Sequence, residues 1–290
     1  MPYDKYIGYQ PTDYQTPYAK FYDETIEAIP AHIEKALQVS PLPAGTLPPL
    51  SKIADLLKDG YTNVESGYSL EKDGSVQVVC LTNMPNVSPK MWHWWFGWHG
   101  DLDNKYKLWH PKMHVSATWQ DGQGNNGQYI GRTSVIQEYI TPNKLEKANI
   151  QFISPLELGL SNDLEKQIFI CARLGYTHYP VDFGWLVHQV RATTEGSEMR
   201  SRFFMGGSHI QLRMGGWLPQ MVSKLLQKVV RLPKEQGHDL LVHCAEEMRH
   251  LAAFLPSIYQ EFHSILSSRT LQGRLSRRLL VARRFCLEWA

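Results

Sequence analysis

The most regular pattern of apolar and polar positions lies near the C-terminus. From His238 to about Leu266, apolar residues recur at intervals of three and four, which is the spacing of one face of an α-helix. The pattern predicts one long amphipathic helix. Its apolar positions are Leu240, Leu241, Cys244, Met248, Leu251, Phe254, Leu255, Ile258 and Phe262.

Upstream of this helix, short segments show the alternation of apolar and polar residues that is typical of β-strands. Residues 67–85 predict a hairpin around an Asp-Gly turn, and residues 184–207 predict another around a Glu-Gly turn. Single strands are predicted at the end of residues 106–120, at 133–140 and at 147–155. Ser88 and Pro89 begin a predicted short helix that ends at Gly100.

The first 66 residues have a different character, because loops alternate with short helical patterns. Residues 21–37 have helical periodicity with a proline break at Pro30, and residues 51–60 begin with a serine cap and end at a glycine. A Pro/Gly linker separates these two patterns. The segment looks like a small lid or prefix.

The order of the predicted elements indicates an α+β protein of the helix-grip type. In this arrangement a curved antiparallel sheet wraps around the last helix and leaves a cavity between them. We therefore predict an N-terminal loop and helical segment over residues 1–66, a helix-grip domain over 67–264 and a tail over 265–290.

Composition and charge exclude several classes of protein. The formal net charge is only +2, so the chain as a whole has no strong field for nucleic acid or membranes. The basic charge is concentrated in residues 269–290, which carry six arginines and one glutamate. Four widely spaced cysteines form no CxxC pair, which favours free thiols in a reducing compartment.

No signal peptide and no membrane span are predicted. The N-terminus is polar and rich in tyrosine, and no apolar run approaches the ~20 residues that a membrane span needs. We expect a cytoplasmic protein. Five of the nine tryptophans lie between Trp92 and Trp109, a density that fits either a cavity for a flat ligand or a large aromatic core.

The stretch HCAEEMRH, residues 243–250, contains the chemically most suggestive residues. On a helix, His243 and Glu247 share a face, whereas Glu246 lies about 100° away. Such a face can hold a metal or be an ordinary solvated face. Metal binding requires ligands from other elements to converge on it.

Candidate partners lie in the predicted strands. His110 and His114 occur in HPKMH, Glu138 lies between two isoleucines of its strand face, and His188 lies between a leucine and a valine of its own face. A carboxylate among apolar neighbours needs a partner or a cation. The alternatives are a rim glutamate bonded to a tyrosine or arginine, and a core histidine.

Several long segments, in the same order, resemble the diacetylphloroglucinol hydrolase family, which also contains phloretin hydrolase. They are WWFGWHGDLDNKYKLWHPKMH, VIQEYI, LVHQVRATTEGSEMRSRFF and HCAEEMRHLAAFLPSIYQEF. The resemblance covers about residues 67–264. It implies a helix-grip (Bet v 1-like) domain that uses zinc to cleave the carbon–carbon bond between an acyl group and a phloroglucinol ring.

The resemblance also implies which residues form the site. By motif, the ligands of one zinc ion per chain are His114, Glu138, His243 and Glu247, with Fe²⁺ and Mn²⁺ as alternative metals. Tyr106 and His188 fall where the family places polar pocket residues. We expect His188 to carry the proton and Tyr106 to donate a hydrogen bond to the developing oxyanion.

The resulting hypothesis is a metal-dependent hydrolase that acts on acylphloroglucinol-like ketones. One alternative is a biosynthetic isomerase, cyclase or retro-aldol lyase that acts on a polyketide or terpenoid in the same cavity. Another is a non-catalytic carrier. The expected partner is a small aromatic molecule, with no nucleic acid; a homo-oligomer is compatible with the sequence.

Details around the motif give further expectations. Cys244 should pack as a small apolar residue, His250 should support the site without binding metal, and Glu246 should face away. Ala117, Phe203 and Phe204 lack a polar side chain that could contact a substrate. We therefore expect substrate specificity to differ among family members at these positions. The basic tail is either a partner-binding or membrane-surface helix, or an extension without a role.

Overall fold

A computed structural model describes residues 8–141, 144–230, 232, 233 and 235–287, except for the side chains of residues 141, 229 and 265–287. Its frame is one antiparallel sheet of nine strands. The strands are β1 Gly67–Leu70, β2 Ser75–Pro85, β3 His114–Trp119, β4 Thr133–Thr141, β5 Lys144–Ile153, β6 Gln167–Tyr176, β7 Val181–Ala192, β8 Gly196–Gly206 and β9 Gln211–Leu212. Their order is β1-β2-β8-β7-β6-β5-β4-β3, with β9 paired to β7.

Five α-helices accompany the sheet in the described part of the chain. They are α1 Ala31–Val39, α2 Pro89–Trp98, α3 Asp103–Trp109, α4 Trp217–Val229 and α5 Gln236–Leu287. Short 3₁₀ turns, including Leu50–Leu57, connect them to the sheet. Among the described residues, no helix has both the length and the apolar character needed to cross a membrane.

Helix α5 packs against β2 and β4, so the predicted helix-grip fold is confirmed. Its predicted stripe is buried from Leu240 to Phe262, and only Phe254 is partly exposed. Burial of each such side chain contributes roughly 1.5–3 kcal/mol. The helix extends further than predicted, to Leu287, and the side chains of the predicted tail lie outside the described residues.

Most other predictions of elements are confirmed, but one was wrong and several elements were missed. The hairpins, the strands β3, β4 and β5, and helix α2 with its Ser88 N-cap all form as expected. The helical pattern before Pro30 was wrong, because α1 begins only after that proline. Helices α3 and α4 were not predicted.

Strand β6 was also missed, because it is buried on both faces and therefore lacks alternation. Its inward residues Ile168 and Ile170 join the main core under α5. Phe169 and Cys171 point outward into a second cluster, which the turn Leu50–Leu57 covers with Ile53 and Leu56. The N-terminal segment thus shields the outer face of the sheet.

A buried ion cluster fastens the end of the N-terminal segment to the sheet. Glu65 accepts hydrogen bonds from Arg200, at 2.6 and 3.0 Å, and from Arg202. Both arginines are almost fully buried. Burial by itself raises the pKa of Glu65, but the hydrogen bonds of Arg200 and the charge of Arg202 outweigh it and hold that pKa at about 2.

We expect Glu65→Gln to lower the free energy of unfolding at pH 7 by about 3 kcal/mol, because it leaves two buried arginines uncompensated. The folded pKa of about 2 lies below the ordinary value of 4.5, so this stabilisation is complete above pH 4.5 and fades as the pH falls toward 2. Urea unfolding of both proteins at several pH values measures it.

The exposed carboxylate of Glu34 in α1 provides the control, since Glu34→Gln should change stability by less than about 0.5 kcal/mol. A deficit of Glu65→Gln that stays constant from pH 7 down to pH 3 would contradict the assigned role of the ionised carboxylate.

Candidate metal centre

A cavity of about 320 Å³ lies between the concave face of the sheet and α5. Its walls are mainly apolar and aromatic, from Phe96, Trp109, Ile136, Phe152, Phe183 and Phe203. The polar side chains that line it include Tyr106, Glu138, His188, His243 and Glu247. A larger, open groove of about 930 Å³ lies beside α4 on the outside, but none of the predicted site residues line it.

Three of the four candidate ligands converge at one end of this cavity. His114 is the first residue of β3, and His243 and Glu247 lie one turn apart on α5. Their ligand atoms all lie within 4.8 Å of one another, and all three side chains are buried. Glu247 Oε2 lies 3.4 Å from His114 Nε2 and 3.7 Å from His243 Nε2.

The fourth candidate, Glu138, lies beside this group but not within it. It faces His114 in the register of β3 and β4, and its Oε2 lies 3.5 Å from His114 Nε2. Its carboxylate also accepts a hydrogen bond from the Tyr106 hydroxyl. The alternative interpretation of Glu138 was a glutamate at the rim of the cavity, bonded to a tyrosine. The hydrogen bond to a tyrosine is present, but the carboxylate is largely buried.

The environment of His114 fixes its tautomer. Its Nδ1 lies 3.1 Å from the carbonyl oxygen of Tyr106 and donates to it, so Nε2 carries the lone pair. The Tyr106 ring stacks on the imidazole at 3.9 Å with an interplanar angle of 4°. In the described part of the chain, Nε2 has no hydrogen-bond donor, and it points at the carboxylates.

Burial sets the charge of the group. It lowers the pKa of His114 and of His243 to about 3, so both imidazoles are neutral at pH 7 and can act as ligands. Burial and the neighbouring Glu247 raise the pKa of Glu138 to about 8, and burial raises that of Glu247 to about 7.

This donor set fits a divalent cation. Two neutral imidazoles and two carboxylates are ordinary ligands of Zn²⁺, and a +2 ion would offset the cost of ionising both acids. No lysine or arginine in the described residues forms an ion pair with Glu138 or Glu247. The hydrogen bond from His114 to the Tyr106 carbonyl is the kind of outer contact that orients metal-binding imidazoles.

His188 lies across the cavity from β7. Its Nδ1 is 2.7 Å from the Ser201 hydroxyl, and its ring contacts Phe96 and Phe203. Burial lowers its pKa to about 3. It has the polar partner expected of a core histidine and also lines the cavity.

Glu246 does not line the cavity, as expected, but it contacts a histidine beside the candidate ligands. Its Oε2 lies 3.2 Å from His110 Nε2, because the loop before β3 lies over the first turns of α5. The His110 ring in turn lies parallel to that of His243, with centroids 5.3 Å apart. Both histidines of HPKMH therefore lie near α5, although the family resemblance implies only His114 as a ligand.

The remaining expectations have mixed outcomes. Cys244 is fully buried and packs in the core, as predicted. His250 contacts the backbone of Thr25 in the N-terminal segment. Phe203 lines the cavity, whereas Phe204 packs in the outer cluster under the turn Leu50–Leu57.

Comparisons with known proteins cover most of the chain. The family model of the DAPG hydrolase PhiG domain matches residues 47–260, which include all four candidate ligands. The chain is 28% identical over 270 residues to 2,4-diacetylphloroglucinol hydrolase of Pseudomonas protegens, covering 85% of this chain and 84% of that enzyme. It is 26% identical over 270 residues to phloretin hydrolase of Eubacterium ramulus, covering 88% and 93%.

Among solved structures, the chain is similar to the crystal structure of Ara h 8.0201, with a TM-score of 0.38 and 12% sequence identity. The similarity covers 63% of this chain and 99% of that one.

We expect purified protein loaded with zinc and then desalted to retain about one ion per chain, measured by elemental analysis. His114→Ala and Glu247→Ala should each lower the retained metal at least about tenfold, because each removes a donor from the converging group. Zinc should also raise the melting temperature of the parent protein but not of these variants.

Glu246→Ala is the matched control, since Glu246 is the neighbour of Glu247 on the helix and contacts only His110 of the polar groups around the site. It should retain its metal. Full zinc retention by Glu247→Ala would show that α5 does not supply the ligand.

Proposed function

Because the chain belongs to the family of the DAPG hydrolase PhiG domain, we propose that it hydrolyses the carbon–carbon bond between an acyl group and a polyhydroxylated aromatic ring. The observation that carries the proposal is the convergence of His114, His243 and Glu247 beside an aromatic cavity, within the residues that the family model matches. The substrates named for the two relatives, 2,4-diacetylphloroglucinol and phloretin, both contain such a bond.

We assign one divalent ion, with zinc first, to His114, Glu138, His243 and Glu247. When bound, such an ion polarises a carbonyl group or lowers the pKa of a water molecule. Glu138 joins the set because its carboxylate lies 3.5 Å from His114 Nε2, next to the other three.

The walls of the cavity bind and orient the ring. Phe96, Phe152 and Phe203 provide flat apolar surfaces on which an aromatic ring can stack or pack edge-on. They also keep bulk water away from the bond that breaks, which strengthens the hydrogen bonds made inside the cavity. The acyl group then lies at the end of the cavity that holds the candidate ligands.

The overall reaction adds one water across the bond. The acyl carbon gains the hydroxyl group and becomes a carboxylic acid, while the electron pair of the broken bond stays with the ring carbon, which gains a proton. Ring hydroxyls make this possible, because in the keto tautomer the departing carbanion is an enolate. The protein therefore needs one group to move a proton and one to stabilise an oxyanion.

We assign these two roles to His188 and Tyr106. The His188 ring is neutral at pH 7, and its Nδ1 is engaged with Ser201, so Nε2 is left to exchange a proton with the substrate. Burial and the neighbouring Glu138 raise the pKa of Tyr106 well above its ordinary value, so its hydroxyl stays protonated as a donor. It lies between the stacked His114 and the cavity.

The test is turnover of 2,4-diacetylphloroglucinol and of phloretin, followed by mass spectrometry. We expect two products whose summed mass exceeds that of the substrate by one water. His188→Gln and Tyr106→Phe should lower kcat by about 10²–10⁴-fold while retaining bound metal, because they remove proton transfer and an oxyanion donor.

His178→Gln, at an exposed histidine, is the control and should leave kcat unchanged. A product of unchanged mass would replace hydrolysis with isomerisation. Full turnover by a metal-free His114→Ala variant would refute the ligand assignment.

A further inference from the structure

Helix α4 presents its apolar side to solvent. Trp217, Leu218, Met221 and Leu225 are 73, 57, 60 and 61% exposed, and Val222 is 38% exposed. At about 100° per residue, these five side chains occupy a continuous arc of about 140°. A surface helix ordinarily turns such an arc toward the core. We call these five residues the α4 arc.

The opposite side of α4 is polar and bonded to the protein. The Ser223 hydroxyl donates to the Pro219 carbonyl at 2.8 Å and accepts from the Leu212 amide at 2.9 Å. The Gln227 amide donates to the Ile210 carbonyl at 2.8 Å. A rotation of α4 about its axis that buried the α4 arc would break these hydrogen bonds. The bonds therefore hold the helix with its apolar side toward solvent.

The segment that contains α4 carries basic but no acidic residues, and its Arg213 pairs with Asp182 of β7. Residues 213–234 contain five basic residues and no acidic one. Lys224 and Lys228 fall along one edge of the α4 arc by helical geometry, and both are exposed. In the described part of the chain neither lysine lies within ion-pair distance of an acid.

We infer that α4 docks on the surface of a bilayer that contains anionic lipids. The α4 arc enters the boundary between head groups and acyl chains, and Lys224 and Lys228 extend to the anionic head groups. Trp217, at the start of the helix, is the residue type most enriched at that boundary. The free energy of docking comes from apolar burial plus charge attraction.

The charge pattern favours a membrane over a second copy of this chain. In a symmetric dimer through the α4 arc, the same surface patch lies on both sides, so the segment 213–234 of the second copy would offer the lysines no acidic side chain. An anionic lipid surface provides counter-charges for the lysines and an apolar layer in which the α4 arc is buried.

Docking has a consequence for the cavity. Leu232, Pro233 and Glu235 directly follow α4 and line the cavity wall. A docked α4 therefore brings that wall close to the membrane, where apolar aromatic ketones partition. This consequence rests on the proposed function, whereas docking itself does not.

The experiment measures binding of the full chain to vesicles by sedimentation, without substrate. Vesicles of phosphatidylcholine with about 30% phosphatidylserine should bind at least about tenfold more tightly than pure phosphatidylcholine vesicles, and added salt should weaken this binding. Because no turnover is measured, failure of docking is distinguishable from failure of the proposed function.

Two double variants separate the contributions. Trp217→Ser with Leu225→Gln should lower binding to anionic vesicles at least about tenfold, because it removes apolar area from the α4 arc. Lys224→Glu with Lys228→Glu should abolish the preference for phosphatidylserine. Thermal melting shows that each variant is folded, and turnover of dissolved substrate should be unchanged.

Matched controls use equally exposed residues on other elements. Val39 and Leu156 are 67 and 74% exposed, so Val39→Ser with Leu156→Gln controls for the lost apolar area. Lys35→Glu with Lys52→Glu controls for the change in charge. Both controls should bind anionic vesicles like the parent protein.

Three outcomes overturn the inference. One is the absence of binding to anionic vesicles, and another is unchanged binding by Trp217→Ser with Leu225→Gln. The third is a concentration-dependent dimer that this variant abolishes while no vesicles are bound, which would assign the α4 arc to contacts between copies.

Discussion

The buried charge at the junction of α5 with β3 and β4 is the constraint around which the rest of the molecule is arranged. Glu138 and Glu247 lie next to two imidazoles that burial keeps neutral, and no basic side chain in the described residues pairs with either acid. An isolated ionised carboxylate in such surroundings is costly, and a divalent cation bound by all four groups removes most of that cost. The cost of the buried carboxylates and the types of ligand present therefore both favour a divalent cation at this position.

The cluster around Glu65 shows how the same fold treats a buried acid that has a structural role. There Arg200 and Arg202 surround the carboxylate and keep its pKa low. At Glu138 burial and the neighbouring Glu247 raise the pKa instead. The charge of Glu65 is neutralised by arginines of the protein itself, whereas Glu138 has no such partner among the described residues and needs a counter-charge from a bound cation. Buried acids with a strongly raised pKa are typical of functional sites.

The aromatic elements before β3 hold this junction in place. Helices α2 and α3 pack Trp95, Trp109 and Tyr106 around His99 and His114, so the imidazole of the candidate ligand His114 has rings on several sides. Trp109, Tyr106 and His99 also form part of the cavity wall. One aromatic cluster therefore both packs around a candidate ligand and forms part of the cavity wall, and four of the five tryptophans of that segment are fully or almost fully buried in it.

The periodicity of the sequence determined the long helix, both hairpins and the shared face of His243 and Glu247, because each of these depends on residues close together in the chain. It did not reveal β6, whose two buried faces erase alternation, or the inverted polarity of α4. Only the tertiary structure decided that Glu138 lies opposite His114, that His110 meets Glu246, and that Tyr106 stacks on His114. Contacts between separate elements depend on strand register and helix packing, which local spacing does not encode.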